Sequence, residues 1–224
     1  MATTQEKDFG QLLNKVPEIT LVFWIIKIMA TTVGETAADV LSTTFKLGTV
    51  GTSYVMGALL IIALVFQLRA KTYVPAIYWI VVVFISVVGT LISDNLVDNL
   101  GVPLATTSIL FAVALIAVFV VWYWSERTLS VHTIYTLGRE LFYWAAILFT
   151  FSLGTSAGDL LSESLGLGYP LSALMFGAGI AIIYAAYRFG LVGEVLACWL
   201  ASVMTRPLGA PLVLLPTHRK GAAR

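Results

Sequence analysis

One spacing recurs four times along the chain and constrains its fold more than any other feature. A tryptophan stands ten residues before a glycine in Trp24/Gly34, Trp79/Gly89, Trp144/Gly154 and Trp199/Gly209. Five residues after the first three glycines comes an aspartate: Asp39, Asp94 and Asp159. The fourth copy has Leu214 there. The tryptophans lie 55, 65 and 55 residues apart. Self-similarity at such a period means one structural unit used repeatedly, and it sets the architecture before local propensity does.

Hydropathy says what the unit is. The 224 residues are 59% hydrophobic and 11% charged, with mean hydropathy +0.93, far from the composition of a soluble domain. Seven apolar stretches, 18–41, 53–69, 75–96, 104–124, 140–162, 170–188 and 191–207, are long enough or nearly so to cross ~30 Å of hydrocarbon. Glycine and proline mark the breaks, at Gly48 and Gly51, Pro75, Gly101 and Pro103, Gly166 to Pro170, and Gly190. Glu194, Arg206 and Pro207 interrupt the last stretch, after which residues 208–216 extend it, re-enter or lie at the interface.

The expected fold class is all-α and polytopic. About seven transmembrane helices come from four parallel two-helix repeats near 18–73, 74–130, 139–190 and 191–216, the last incomplete. They form a single transmembrane domain, 18–207, between a polar cytoplasmic segment, 1–17, with no cleaved leader, and a tail, 208–224. Each unit is a motif helix followed by a plain apolar helix, so the chain returns to the same side and the motif helices all run in one direction. The tryptophans, near one membrane face, read as interfacial anchors.

Charge sets the expected orientation. With the N-terminus inside, the inner side carries Lys7, Lys15, Arg69, Lys71, Arg127, Arg139 and Arg188, against Lys46 alone outside. The tail, with His218, Arg219, Lys220 and Arg224, votes the other way. The net charge of +1 gives no reason for a nucleic-acid partner. The expected partners are the lipid bilayer and a small cation or proton, with oligomeric state left open.

The chemistry lies in a polar stripe. Residues four apart share a helix face. Steps of four give Lys27, Thr31, Glu35 and Asp39 on the first motif helix, and Ser86, Thr90, Asp94 and Asp98 on the second. The third carries Thr155, Asp159 and Glu163; the fourth carries Ser202, Arg206 and Ala210. Polar groups facing lipid are costly, so the stripes are expected to face one another around an axis, with the plain helices outside. Small residues beside them, such as Gly34, Gly89 and Gly154, permit close backbone approach.

Glu35, Asp39, Asp94 and Asp159 with the hydroxyls of Thr90 and Thr155 make an oxygen-rich ion-binding site suited to protons, Na⁺ or a hard divalent metal such as Mn²⁺. These four acids are the candidate metal ligands. Lys27 and Arg206 are charge partners, Lys27 in an ion pair with Glu35 or both in a network with Arg206; the two basic residues equally suit an anion site.

Enzymatic readings find no support. No G-x-S-x-G, H-E-x-x-H, C-x-x-C or phosphate-binding glycine loop occurs, and no cofactor is expected. His132 reads as a solvated linker residue, and lone Cys198 as a small buried apolar residue that excludes an internal disulfide.

The segments Thr32-Val33-Gly34-Glu35-Thr36-Ala37-Ala38-Asp39, Gly89-Thr90-Leu91-Ile92-Ser93-Asp94-Asn95 and Gly154-Thr155-Ser156-Ala157-Gly158-Asp159 resemble a family of bacterial inner-membrane proteins with internal repeats and no assigned activity. The resemblance implies a multi-pass protein of the bacterial cytoplasmic membrane. A weaker similarity is to cation exporters with a repeated Glu-x-Gly-Asp signature; Gly158-Asp159 matches it, without the glutamate two before the glycine. The functional expectation is a transporter of a small cation, with a divalent metal such as manganese favoured and protons as the coupling ion. A non-catalytic membrane scaffold or partner subunit and an ion channel are the alternatives.

Overall fold

The computed structural model describes residues 14–44 and 46–221, the side chains of 169 and 209–221 excepted. The expectations for Lys7, Ala210, Leu214 and the basic tail from His218 fall on residues or side chains outside that set. The described residues form seven long helices: α1 Leu21–Asp39, α2 Gly48–Arg69, α3 Pro75–Asp94, α4 Leu104–Glu126, α5 Leu137–Asp159, α6 Gly168–Arg188 and α7 Glu194–Gly221. The expected all-α membrane fold is observed, and six helices, α1 to α6, are long and apolar enough to cross a bilayer.

Two span boundaries differ from expectation. Gly48, with φ +67°, makes the turn and α2 starts there, five residues earlier than the sequence pattern indicates. The last segment does not re-enter and does not stop at Pro207; α7 is one helix of 28 residues, so 208–221 extends it. Proline inside a helix lacks a donor and crowds the preceding turn. Here Pro207 is packed against Gly154 and Gly158 of α5, where an added Cβ would meet its ring at 3.2 and 3.3 Å.

The motif helices make a closed ring. α1 packs on α3, α3 on α5, α5 on α7, and α7 on α1. The plain helices stand outside it, α2 on α3, α4 on α5 and α6 on α7. Within the most apolar stretch of each, 56% of α3 and 61% of α5 is buried, against 22%, 17% and 11% for α2, α4 and α6. The outer helices therefore offer their apolar side chains to lipid.

Each repeated glycine sits at the next seam. A Cβ on Gly34 would meet Ser86 Oγ, one on Gly89 would lie 2.9 Å from Phe151 Cβ, and one on Gly154 would meet Arg206 Cγ. The contacted residues, Ser86, Phe151 and Arg206, are each seven after their own tryptophan. One small-residue contact thus propagates around the ring, as close helix packing in a membrane requires.

The tryptophans correct an expectation. Trp144 and Trp199 are buried, so these two do not face the lipid interface as anchors, whereas Trp24 and Trp79 are half-buried. Trp79, Trp144 and Trp199 each pack on the residue that precedes the tryptophan of the previous copy, Phe23–Trp79 at 5.7 Å, Tyr78–Trp144 at 5.3 Å and Tyr143–Trp199 at 6.1 Å between ring centres. Edge and tilted stacking of this kind seals the seams. The hydroxyls of Tyr78 and Tyr143 bond each other at 2.5 Å.

Beyond this aromatic layer the N-terminal segment straps the bundle shut. Asn14 Nδ2 donates to the Val131 carbonyl at 3.3 Å, and its Oδ1 accepts from the Ile134 amide at 3.1 Å. Lys15 Nζ pairs with Glu140 Oε2 at 2.7 Å, while Gln67 Nε2 donates to Glu140 Oε1 at 3.1 Å; all three side chains are buried. The linker between the halves is held by Arg139 Nε on Glu126 Oε2 at 2.7 Å and includes exposed His132, which meets Glu194 at 3.1 Å.

Gly154→Ala is expected to destabilise the protein by about 2 kcal/mol, because overpacking a tight seam costs ~1–3 kcal/mol. Gly57→Ala, in α2 where a Cβ meets nothing within 4 Å, is expected to be neutral or to stabilise by up to ~1 kcal/mol. Thermal unfolding of the two variants in detergent checks the contrast.

Candidate functional site

Along each motif helix the motif spacing sets the depth. The tryptophan layer closes one end of the ring, the glycine seams lie in the middle, and the aspartates stand at the other end. There α1, α3 and α5 each widen into a π-helical turn, Val40–Thr44, Asn95–Asn99 and Leu160–Ser164, starting directly after Asp39, Asp94 and Asp159. The widened bonding is seen in Leu100 N–H donating to the Asn95 carbonyl at 3.1 Å and Leu165 N–H to the Leu160 carbonyl at 3.0 Å. Single π turns inside α-helices are concentrated at functional sites, and three at one repeat position mark the acid end as the place where the backbone departs from ideal packing.

At mid-depth lies Arg206, 3% exposed. Its Nη1 donates to the Thr31 carbonyl at 3.0 Å and to Ser86 Oγ at 3.2 Å. Its Nη2 donates to Thr155 Oγ1 at 3.1 Å and to Thr90 Oγ1. The guanidinium stands 5.2 Å from the Phe151 ring centre. One side chain of α7 therefore touches all three other motif helices. The acceptors are oriented for it: Thr90 Oγ1 donates to its own helix at the Ser86 carbonyl (3.1 Å) and Thr155 Oγ1 to the Phe151 carbonyl (3.2 Å). With those protons used, the hydroxyl lone pairs face the cation. Gly154 is what lets the arginine stem pass.

The carboxylates lie above this layer. Glu35, Asp94 and Asp159 are half-buried and Asp39 is exposed. Glu35, Asp94 and Asp159 interact through space with Arg206, and Asp94 and Asp159 with Glu35. Yet among the described residues no carboxylate comes within ion-pair distance of Arg206; Glu35 Oε2 and Arg206 Nε are both buried without a hydrogen-bond partner. Among the described residues no three acid, histidine or cysteine side chains stand close enough to hold a metal ion. Asp98 and Glu163 are exposed at the acid end.

The stripes do meet around an axis, but the roles of their members differ from expectation. Thr90 and Thr155, read as ion-binding hydroxyls, hold Arg206. Lys27 and Glu35 do not pair: about 12 Å of helix rise separates them, and the Arg206 layer intervenes. Lys27 lies below that layer, 3% exposed, with Nζ 5.3 Å from the Trp24 ring centre and no hydrogen bond among the described residues. The stacking of Phe151 on the guanidinium is absent from the sequence-based reading. Its signal was present, since Thr31, Ser86, Phe151 and Arg206 occupy one repeat position, seven after each tryptophan.

The model of DUF347, a repeat of unknown function, matches residues 22–73, 77–128 and 142–189. The chain belongs to the DUF347 repeat family. No curated protein and no solved structure matches it. Each matched DUF347 segment begins within the first two turns of a motif helix and ends just after the outer helix that follows. The three DUF347 copies thus supply three of the four ring positions, and α7, which carries Arg206, lies outside the matched segments.

Arg206→Lys keeps the charge but replaces a planar five-donor fork by three donors on a point charge. At least one of the four bonds to Thr31, Ser86, Thr90 and Thr155 is then lost, and the planar geometry of the others with it. With charged hydrogen bonds worth ~1.5–3 kcal/mol each, the variant is expected to lose about 3 kcal/mol of stability, measured by thermal unfolding in detergent.

Proposed function

We propose that this DUF347 protein is a transporter that moves a small cation along the axis of the four-helix ring, with protons as the exchanged ion. The observation that carries the reading is the pairing of an acid end with a tethered internal cation. Three half-buried carboxylates from α1, α3 and α5 surround the axis, and the guanidinium of Arg206 occupies the oxygen ring beneath them without contacting any of them. Ionisable groups at membrane depth are expensive, and a bundle keeps them where an ion or proton pathway uses them.

In this reading the charge of Arg206 offsets the acids while no substrate is bound. A cation entering among Glu35, Asp94 and Asp159 takes over that role, and protons leave the carboxylates in exchange. An anion would have to pass the same three acids, so the arrangement disfavours it. A divalent ion such as Mn²⁺ needs more ligands than the described conformation brings together; binding it requires the acid end to contract, with the π turns as the compliant segments. The tryptophan end is the cytoplasmic end of a bacterial inner-membrane protein in this reading, since among the described side chains Lys15, Arg69, Lys71, Arg127, Arg139 and Arg188 lie there and Lys46 alone at the other.

The test is flux in proteoliposomes, with Mn²⁺ and Na⁺ as trial substrates and a pH-sensitive dye inside. Cation entry is expected to drive proton exit. Glu35→Gln, Asp94→Asn and Asp159→Asn are each expected to cut the flux at least about tenfold, as loss of one charged ligand or proton carrier does, without a loss of melting temperature. Unchanged flux in all three variants defeats the reading. Destabilisation of a protein that shows no flux favours a scaffold, and conductance without proton movement favours a channel.

A further inference from the structure

The seam between the fourth and first copies is built differently from the other three. At the other seams an aromatic residue, Phe23, Tyr78 or Tyr143, packs on the tryptophan of the next copy. The fourth copy has Cys198 at that position, with far less volume. At the position three after the tryptophan, the second and third copies carry the buried apolar residues Val82 and Ile147, whereas the first carries Lys27 and the fourth Ser202. Both substitutions fall at the same seam. The result is a small cavity lined by Lys27, Cys198, Ser202, Tyr143, Ile147 and Trp199, closed below by Val16 and Ile19 of the N-terminal strap.

Lys27 Nζ is buried there with no hydrogen bond and no carboxylate partner among the described residues. A buried ammonium without a counter-charge is among the most costly arrangements in a protein. Lys27, whose ammonium has no hydrogen-bond partner among the described residues, and Ser202 line this cavity with otherwise apolar and aromatic residues. It is too small for a tetrahedral oxyanion. We infer that this seam binds a small monovalent anion of the halide class on Lys27. The site lies on the far side of Arg206 from the acids, so the inference stands independently of cation transport.

The probe is chloride, with bromide as its scattering analogue, against gluconate at constant ionic strength. The melting temperature of the purified full chain is expected to rise by roughly 5 °C as chloride goes from about 1 to about 100 mM. Bromide is expected to give an anomalous peak within contact distance of Lys27 Nζ. Lys27→Met is expected to lose the chloride dependence. Ser202→Val, which restores the apolar residue that the second copy carries as Val82, is expected to remove the hydroxyl, narrow the site and lose the dependence too. The inference is overturned if the wild-type protein shows no chloride dependence, or if both variants keep it. It also falls if a dependence appears only in Cys198→Ser, which would make the cysteine thiolate the native counter-charge.

Discussion

Closing a ring of four parallel helices around a buried guanidinium is the constraint on which the rest of the structure depends. Removing an ionised side chain from water costs several kcal/mol even after relaxation. That cost is offset only if nearly every donor is met, and no single helix can supply enough acceptors. Arg206 solves this by drawing on Thr31, Ser86, Thr90 and Thr155 from three helices, with the Phe151 ring alongside. The same bonds fix α7 between α5 and α1, so the arginine both needs the ring and closes it. Threonines in place of carboxylates matter here. A direct ion pair would neutralise the acids permanently, whereas neutral acceptors hold the cation and leave the acids unengaged.

The repeat explains why the helices meet, and its breaks explain what differs among the seams. A glycine facing the residue seven after the next tryptophan recurs at three seams, and an aromatic pair recurs at three. Lys46, in the left-handed region with φ 55°, stands where the second and third copies have Gly101 and Gly166, so even the turns after the π segments follow one template. Against this background the charged residues are departures. Lys27 stands opposite Val82 and Ile147 in register, Glu35 opposite Thr90 and Thr155, and Arg206 opposite Ser86 and Phe151. A symmetric ring would have an uncharged middle; the substitutions place a cation in the ring, a second cation below it and an added acid above it.

Much of this was legible from the sequence because it rests on periodicity. The helical unit, the parallel direction of the motif helices, the axis lined by Glu35, Asp94, Asp159 and Arg206, and the small-residue seams all follow from spacing and from the cost of polar groups in lipid. What escaped is what depends on partners far apart in the chain. A tryptophan near a membrane face reads as an anchor unless the residue it stacks on, 56 or 66 positions away, is known to be aromatic and adjacent. The hydroxyls of Thr90 and Thr155 read as ion ligands until their protons are seen to be committed to their own helices. Pro207 reads as a helix end because the glycines that receive it are on another helix. The strap contact from Lys15 to Glu140 spans 125 residues and has no local signature.

The two ends of the ring differ in what it would take to open them, and that difference bears on any alternating mechanism. The tryptophan end is held by stacked aromatics, by the bonded Tyr78–Tyr143 pair and by the desolvated Lys15–Glu140 pair with Gln67. Separating a buried ion pair costs about 3–5 kcal/mol when its partners are left unmatched. At the acid end Glu35, Asp94 and Asp159 are only half-buried, and the helices finish in π turns. A gap of about 4 kcal/mol would leave a state open at the tryptophan end populated at roughly one molecule in a thousand. A substrate can raise that population only by binding the opened form more tightly than the closed one. In the proposed transport cycle, charge taken up by the acids would do so by acting on Arg206, whose bonds to Thr31, Ser86, Thr90 and Thr155 hold the three helices in their present register. Displacing the guanidinium would loosen the ring one turn above Lys27 and the aromatic seams, so in that cycle the acid end and the tryptophan end would be coupled through a single buried side chain.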